Sequence, residues 1–256
     1  MEREILDHYA SGYEADRLGG ESLEFARTQE VLLRHLPAPP VAVLDVGGGP
    51  GRYARWLAGL GYRASLVDAS PVHVELAVVA GVDAAVGDAR ALDAPDASAD
   101  VVLLLGPMYH LTERGDRLDA LREAARVVRP AGLVAVAGVS RFASLLDGFA
   151  SGHHADARFR AIVERDLADG QHRNPDSVDD WFTTAYFHHP DGLRSEIAEA
   201  GLDVVDLVGL EGPAWLFPRG ARQPFETQLW AARAIESEPS LMGLSAHLLA
   251  VARPTL

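Results

Sequence analysis

The chain has 256 residues, no cysteine, and 23 basic residues against 37 acidic ones, a formal net charge of −14. Without cysteine, disulfides, a thiolate nucleophile and Cys-ligated zinc are excluded; every basic residue is arginine, so a Schiff-base lysine and a Walker-type phosphate loop are excluded too. The acidic balance opposes a nucleic-acid backbone, and no purely apolar run exceeds Val101–Leu105, far short of the roughly 18 residues of a membrane span.

The start, Met1-Glu2-Arg3-Glu4, is charged and lacks an apolar signal core, which suggests a cytoplasmic protein. Ile5, Leu6, Tyr9 and Tyr13 stand at helical spacing. Ser22 to Leu36 reads as a helix stopped by Pro37, Pro39 and Pro40. Val41 to Val46 is a nearly all-apolar run, followed by Gly47-Gly-Gly-Pro-Gly51. A helix carries Tyr53, Trp56, Leu57 and Leu60 on one face and stops at Gly61. Tyr62 to Val67 reads as a strand ending at Asp68. Ser70-Pro71 is an N-cap and first-turn pair opening the next helix. Val82 to Val86, Val101 to Leu105 and Leu133 to Val139 read as further strands. Between the last two, Leu118, Leu121, Ala125 and Val128 share one helix face, which ends at Pro130 and Gly132.

Residues 141 to 190 break this alternation. They are rich in His and Asp, with aromatics interspersed, and read as an insertion. The pattern then resumes: helix Asp191 to Ala200, strand Leu202 to Leu210, helix Pro224 to Glu236 and strand Ser245 to Ala252. Alternation of apolar strands with helices predicts an α/β fold, a doubly wound and mostly parallel sheet covered on both faces. The expected organisation is residues 1–40 as an N-terminal helical lid, 41–140 as the ligand-binding core, 141–190 as a substrate lid, and 191–256 as the end of the same α/β domain.

The chemistry concentrates at Asp45-Val-Gly47-Gly-Gly49-Pro-Gly51, between a strand and a helix. Glycines there let the backbone turn sharply and approach a ligand, which meets the N–H groups of the helix start. The dinucleotide fingerprint G-x-G-x-x-G fails, because Arg52 or Ala54 stands where its last glycine belongs. A nucleotide-cofactor oxidoreductase is therefore the weaker alternative.

Leu44-Asp-Val-Gly-Gly-Gly-Pro-Gly51, with Asp68 ending the second strand and Gly87-Asp88-Ala89 following the third, resembles the class I S-adenosylmethionine (SAM)-dependent methyltransferases. Leu104-Leu-Gly-Pro-Met-Tyr-His-Leu111 is similar to the segment after the fourth strand in their small-molecule branch. The resemblance implies their Rossmann-like seven-stranded sheet, whose last strand is antiparallel, with SAM as cofactor and S-adenosylhomocysteine (SAH) as product. It implies that Gly47, Gly49 and Gly51 line the methionine part of SAM and that Asp45 holds its amino end. Asp68, beside Ala69, would accept from both ribose hydroxyls, since a carboxylate can take two donors. Gly87, Asp88 and Ala89 would meet the adenine, and Leu105 and Gly106 the region near the sulfonium. Tyr13 and Arg27 would close over the cofactor, Arg27 facing its carboxylate.

Methyl transfer is an in-line displacement, so orientation and exclusion of water are the protein's main tasks. His110, just after a strand's carboxyl end, is the candidate base for an O or N acceptor. Tyr109, Phe142, Trp181, Tyr186 and His188 are expected to line an apolar pocket for a small-molecule acceptor. No metal is expected: His153-His154 and His188-His189 are adjacent pairs, and neighbours on a strand or helix point apart. The expected partners are the acceptor and, at most, a second copy in a homodimer, with neither nucleic acid nor membrane. A SAM-binding sensor without transfer activity is the alternative from another function class.

Overall fold

The structure, a computed structural model, describes residues 22–178, 180–217 and 223–255. Tyr13 and the rest of the first 21 residues lie outside that set. In chain order the elements are α1 (Leu23–His35), β1 (Ala42–Val46), α2 (Arg52–Gly59), β2 (Arg63–Asp68), α3 (Pro71–Val79), β3 (Asp83–Val86), β4 (Ala99–Leu104), the single turn α4 (Pro107–His110), α5 (Arg114–Val127) and β5 (Val128–Ser140). The inserted region follows as α6 (Ala143–Ser151), α7 (Ala157–Asp169), β6 (Gln171–His172) and β7 (Ala185–His188). The chain then forms α8 (Pro190–Glu199), β8 (Leu202–Gly209), α9 (Phe225–Ile235) and β9 (His247–Pro254). Among the described residues, no helix is long and apolar enough to cross a membrane.

Seven strands run in the order β3-β2-β1-β4-β5-β9-β8. The first five are mutually parallel, while β9 is antiparallel to both β5 and β8. The expected seven-stranded, mostly parallel sheet with an antiparallel last strand is therefore present, and the insertion adds two short strands to it. β7 lies parallel to the end of β5, pairing Val139 with Phe187 and Ser140 with His188, and β6 pairs with β7.

The all-apolar strands follow from burial on both faces. Leu44, Val102, Leu104, Val134 and Val136 face Leu121 and Ala124 of α5 and Leu193 and Ile197 of α8. The alternate residues Val43, Val101, Leu103, Leu133 and Ala135 face Val31 and Leu32 of α1 and Leu57 of α2. Each of these buried Val, Leu and Ile side chains contributes about 1.5–3 kcal/mol.

Three expectations change. α1 is a core helix rather than a lid: Val31 and Leu32 are fully buried against the sheet, and its N-cap is Ser22, whose side chain accepts from the Phe25 N–H. Val128 does not continue the preceding helix; it opens β5. The insertion does not spread aromatics over a pocket, because it builds its own core. Trp181 is buried with Phe159, Ile162 and Val163. Beside them Asp166 Oδ2 accepts from Ser144 Oγ (2.5 Å) and from His172 Nδ1 (2.8 Å), while His172 Nε2 donates to the Trp181 carbonyl (2.8 Å).

Candidate active site

The turns after β1, β2, β3 and β4 surround one cavity at the carboxyl ends of these strands, where open α/β sheets take ligands. Gly47 and Gly49 show why the first turn needs glycine. Gly47 has φ +67°, its N–H donates to the Val67 carbonyl (2.6 Å), and a Cβ there would lie 2.6 Å from Cγ of Pro107. Gly49 has φ +56°, and a Cβ there would meet nothing within 4 Å, so its face is open.

Asp45, at the end of β1, is 0% exposed, and neither carboxylate oxygen closes a hydrogen bond of ordinary geometry. Burial, helped by the nearby charge of Asp68, pushes its carboxyl up to about 7, against a weaker downward pull from the Ala54 N–H. A buried carboxylate without partners is costly. Beside an open glycine cradle it suits the ammonium of an amino-acid-like ligand, so this wall fits the methionine end of SAM.

Asp68 ends β2 and is already well used. Its Oδ2 accepts from the Gly49 N–H (2.9 Å), and its Oδ1 from the Ser70 N–H (2.8 Å) and His73 Nδ1 (3.3 Å). Burial acts to raise its pKa, but these donors outweigh it and hold the group below the usual carboxylate range. Of about four acceptor positions on a carboxylate, three are occupied. Receiving two ribose hydroxyls therefore requires one of these donors to yield.

Asp88, after β3, is bound by Arg90 through both carboxylate oxygens, with Nη2 to Oδ2 at 2.6 Å. The Arg90 guanidinium holds its carboxyl low, and Arg90 also reaches Asp116 at 2.9 Å. Leu105, Gly106, Tyr109 and His110 close the wall after β4, the last two with ring centroids 4.5 Å apart. A Cβ on Gly106 would lie 2.8 Å from the Gly47 carbonyl, so these two turns meet backbone to backbone.

The cavity thus gathers Asp45, Gly47, Gly49, Asp68, Ala69, Gly87, Asp88, Ala89, Leu105, Gly106, Tyr109 and His110. Gly51 stands just behind it as the N-cap of α2, with φ +83°. Other expected residues are elsewhere. Arg27 is buried on the core side of α1, where it bonds Glu30, Glu236 and the Leu210 carbonyl (3.3 Å), so its donors are committed. Phe142 packs edge-on to His189, and Trp181 sits in the insertion core. Tyr186 stacks under the Arg117 guanidinium at 3.5 Å. His188 is buried against Glu196 (Nε2 to Oε2, 3.3 Å), and burial lowers its pKa.

Sequence reasoning missed Glu24, Arg52, Tyr53, His73 and Arg90 in this wall. Arg52 could have been found: it opens α2 directly after Gly51, where a ligand meets the helix start. It stacks 3.7 Å over the ring of Phe25.

A sequence profile of the methyltransferase-domain family matches residues 44–136. Among solved structures, a SAM-dependent methyltransferase of Mesorhizobium loti has TM-score 0.62 and 17% identity, over 91% of this chain and 100% of that one. A Thermotoga maritima SAM-dependent methyltransferase, described as a possible histamine N-methyltransferase, has TM-score 0.60 and 18% identity, over 98% and 99%. A chain from the complex of the Haloferax volcanii Trm112 methyltransferase activator with a methyltransferase has TM-score 0.63 and 19% identity, over 99% and 97%. These distant likenesses carry the fold, and the profile falls on the segment that bears the glycine turn and the strand-end acids. Residues 44–136 match the methyltransferase-domain family, the fold is the Rossmann-like fold of SAM-dependent methyltransferases, and this likeness implies SAM as the cofactor.

Proposed function

We propose that the protein transfers the methyl group of SAM to an oxygen or nitrogen of a small-molecule acceptor. The observation that carries this reading is one shared cavity. The strand-end acids and the glycine turn line it together with Tyr109 and His110. Bound there, SAM supplies a methyl group activated on its sulfonium.

The chain's own residues then have separable tasks. Asp45 receives the ammonium of the cofactor, and the open face of Gly49 leaves room for its chain. Arg52, at the start of α2, replaces Arg27 as the cation for the carboxylate. Asp68 holds the ribose, and Asp88 with Ala89 borders the adenine. Leu105 and Gly106 fix the backbone near the sulfonium. His110 takes the acceptor's proton, with Tyr109 packed against its ring. The net charge of −14 supports a small acceptor over a nucleic acid. The aromatic insertion lends no support here, because its rings pack on one another.

The test is an acceptor screen that detects SAH release together with a methylated product. His110→Ala is expected to lower turnover and leave SAH affinity unchanged. Binding of SAM with no transfer to any hydroxyl- or amine-bearing acceptor would favour the sensor reading.

A further inference from the structure

The three strand-end acids of the cavity differ in how much accepting capacity they keep. Asp45 closes no hydrogen bond of ordinary geometry, and Asp68 holds three. Asp88 holds four, all from one residue. Its Oδ1 accepts from the Arg90 backbone N–H (2.9 Å) and from Arg90 Nε (3.0 Å). Its Oδ2 accepts from Nη2 (2.6 Å) and shares Nε at 3.2 Å. A carboxylate offers about four acceptor positions, so Asp88 as built has none left for a ligand.

Arg90 is fixed from its other side as well. Its Nη1 donates to Asp116 Oδ2 (2.9 Å) in the first turn of α5, so the guanidinium spans from the turn after β3 to that helix. Arg90 lines the cavity, together with Gly87, Asp88 and Ala89. Three kinds of guanidinium N–H are committed, at Nε, Nη1 and Nη2, and one further N–H remains on each terminal nitrogen. The group that this corner offers to a ligand is therefore a donor, although the sequence places an acid there.

The Asp88 and Arg90 side chains are 45% and 33% exposed, so the ion pair itself adds little to stability. What it changes is the preference of the site. A 6-aminopurine carries an N–H₂ donor at C6 and calls for a free acceptor. An unoccupied Asp88 carboxylate would bind that group and repel a 6-oxopurine, whose C6 oxygen is itself an acceptor. A guanidinium donates to a C6 oxygen and to the ring nitrogens that both purines share, and its planar face stacks on either ring.

We propose that Arg90, with Asp88 as its support, is the residue that reads the purine of the methyl donor, so that the site takes a 6-oxopurine about as readily as adenine. This rests on the methyl-donor reading of the cavity.

The test is calorimetric titration of the full chain with SAH and with S-inosylhomocysteine, its 6-oxo analogue. Wild type is expected to bind the two within about fivefold of each other. Arg90→Ala releases the Asp88 carboxylate, and the analogue should then bind at least about tenfold more weakly than SAH. The exposed pair can be removed without loss of the fold, as circular dichroism would show, and the wild-type ratio needs no variant. A wild type that prefers SAH by more than about fivefold overturns the proposal. So does an Arg90→Ala protein that keeps the wild-type ratio. SAH binding with rejection of the analogue defeats this proposal alone, whereas no binding of SAH to wild type defeats the donor reading on which it rests.

Discussion

The two sides of the sheet's carboxyl edge are built differently. Around β1, β2 and β4, the acids and glycines that face the cavity stand at a strand end or in the next turn, so one short segment sets the position of each. Around β5, β7, β8 and β9, position depends on contacts between distant segments. Arg117 of α5 binds Glu196 of α8 in a bidentate pair, and its Nη1 also donates to the carbonyls of Leu111 (3.0 Å) and Thr112 (2.8 Å). That network holds the inserted strand β7, through the stacked ring of Tyr186, and the loop after His110 in one unit. Glu196 shows the balance of forces: burial acts to raise its pKa, yet His188 and Arg117 pull it down to about 2. The donor side is a local design, and the insertion side a tertiary one.

Substitutions on the two sides should therefore separate cofactor binding from stability. The largest effect on binding is expected from Gly47→Ala. Its positive φ and the overlap with Pro107 together cost about 2–4 kcal/mol, read as weaker SAH binding by calorimetry. Next is Asp68→Ala, which should weaken SAH by about 1.5–3 kcal/mol if the ribose hydrogen bonds are charge-assisted. Unchanged affinity would mean that Asp68 serves only Gly49, Ser70 and His73.

A smaller, pH-dependent effect belongs to Asp45. Its carboxyl titrates at 3.8 when unperturbed and at about 7 in the folded, ligand-free protein. Folding therefore takes up a proton between these values. This group's contribution to stability is greatest below about pH 4 and declines as pH rises to about 7. A cofactor ammonium favours the ionised form, so SAH affinity should rise with pH up to about 7 and then level off. Calorimetry in buffers of different ionisation enthalpy should show proton release below that point, and Asp45→Asn should abolish both effects. The smallest effect on binding is expected from Trp181→Leu. It should cost about 1–3 kcal/mol of stability in urea unfolding and leave SAH affinity within about twofold.

The same contrast explains what could be read from sequence. The β-α alternation, the Ser70-Pro71 cap and the parallel strands were legible, because period and turn chemistry are local. So were the strand-end acids and the glycine turn. Arg27 was misassigned because a helix position does not reveal whether a side chain faces the core. Its partners Glu236 and Leu210 lie far along the chain. Trp181, Tyr186 and His188 were misassigned because an aromatic-rich insertion looks the same whether its rings line a pocket or pack together.

Calorimetric titration of the purified protein with SAH, set beside NAD under the same conditions, tests the central claim most directly. The structure predicts saturable SAH binding at one site, lost in Gly47→Ala and weakened in Asp68→Ala, with little binding of NAD. No binding of SAM or SAH, together with clear binding of NAD, would contradict it.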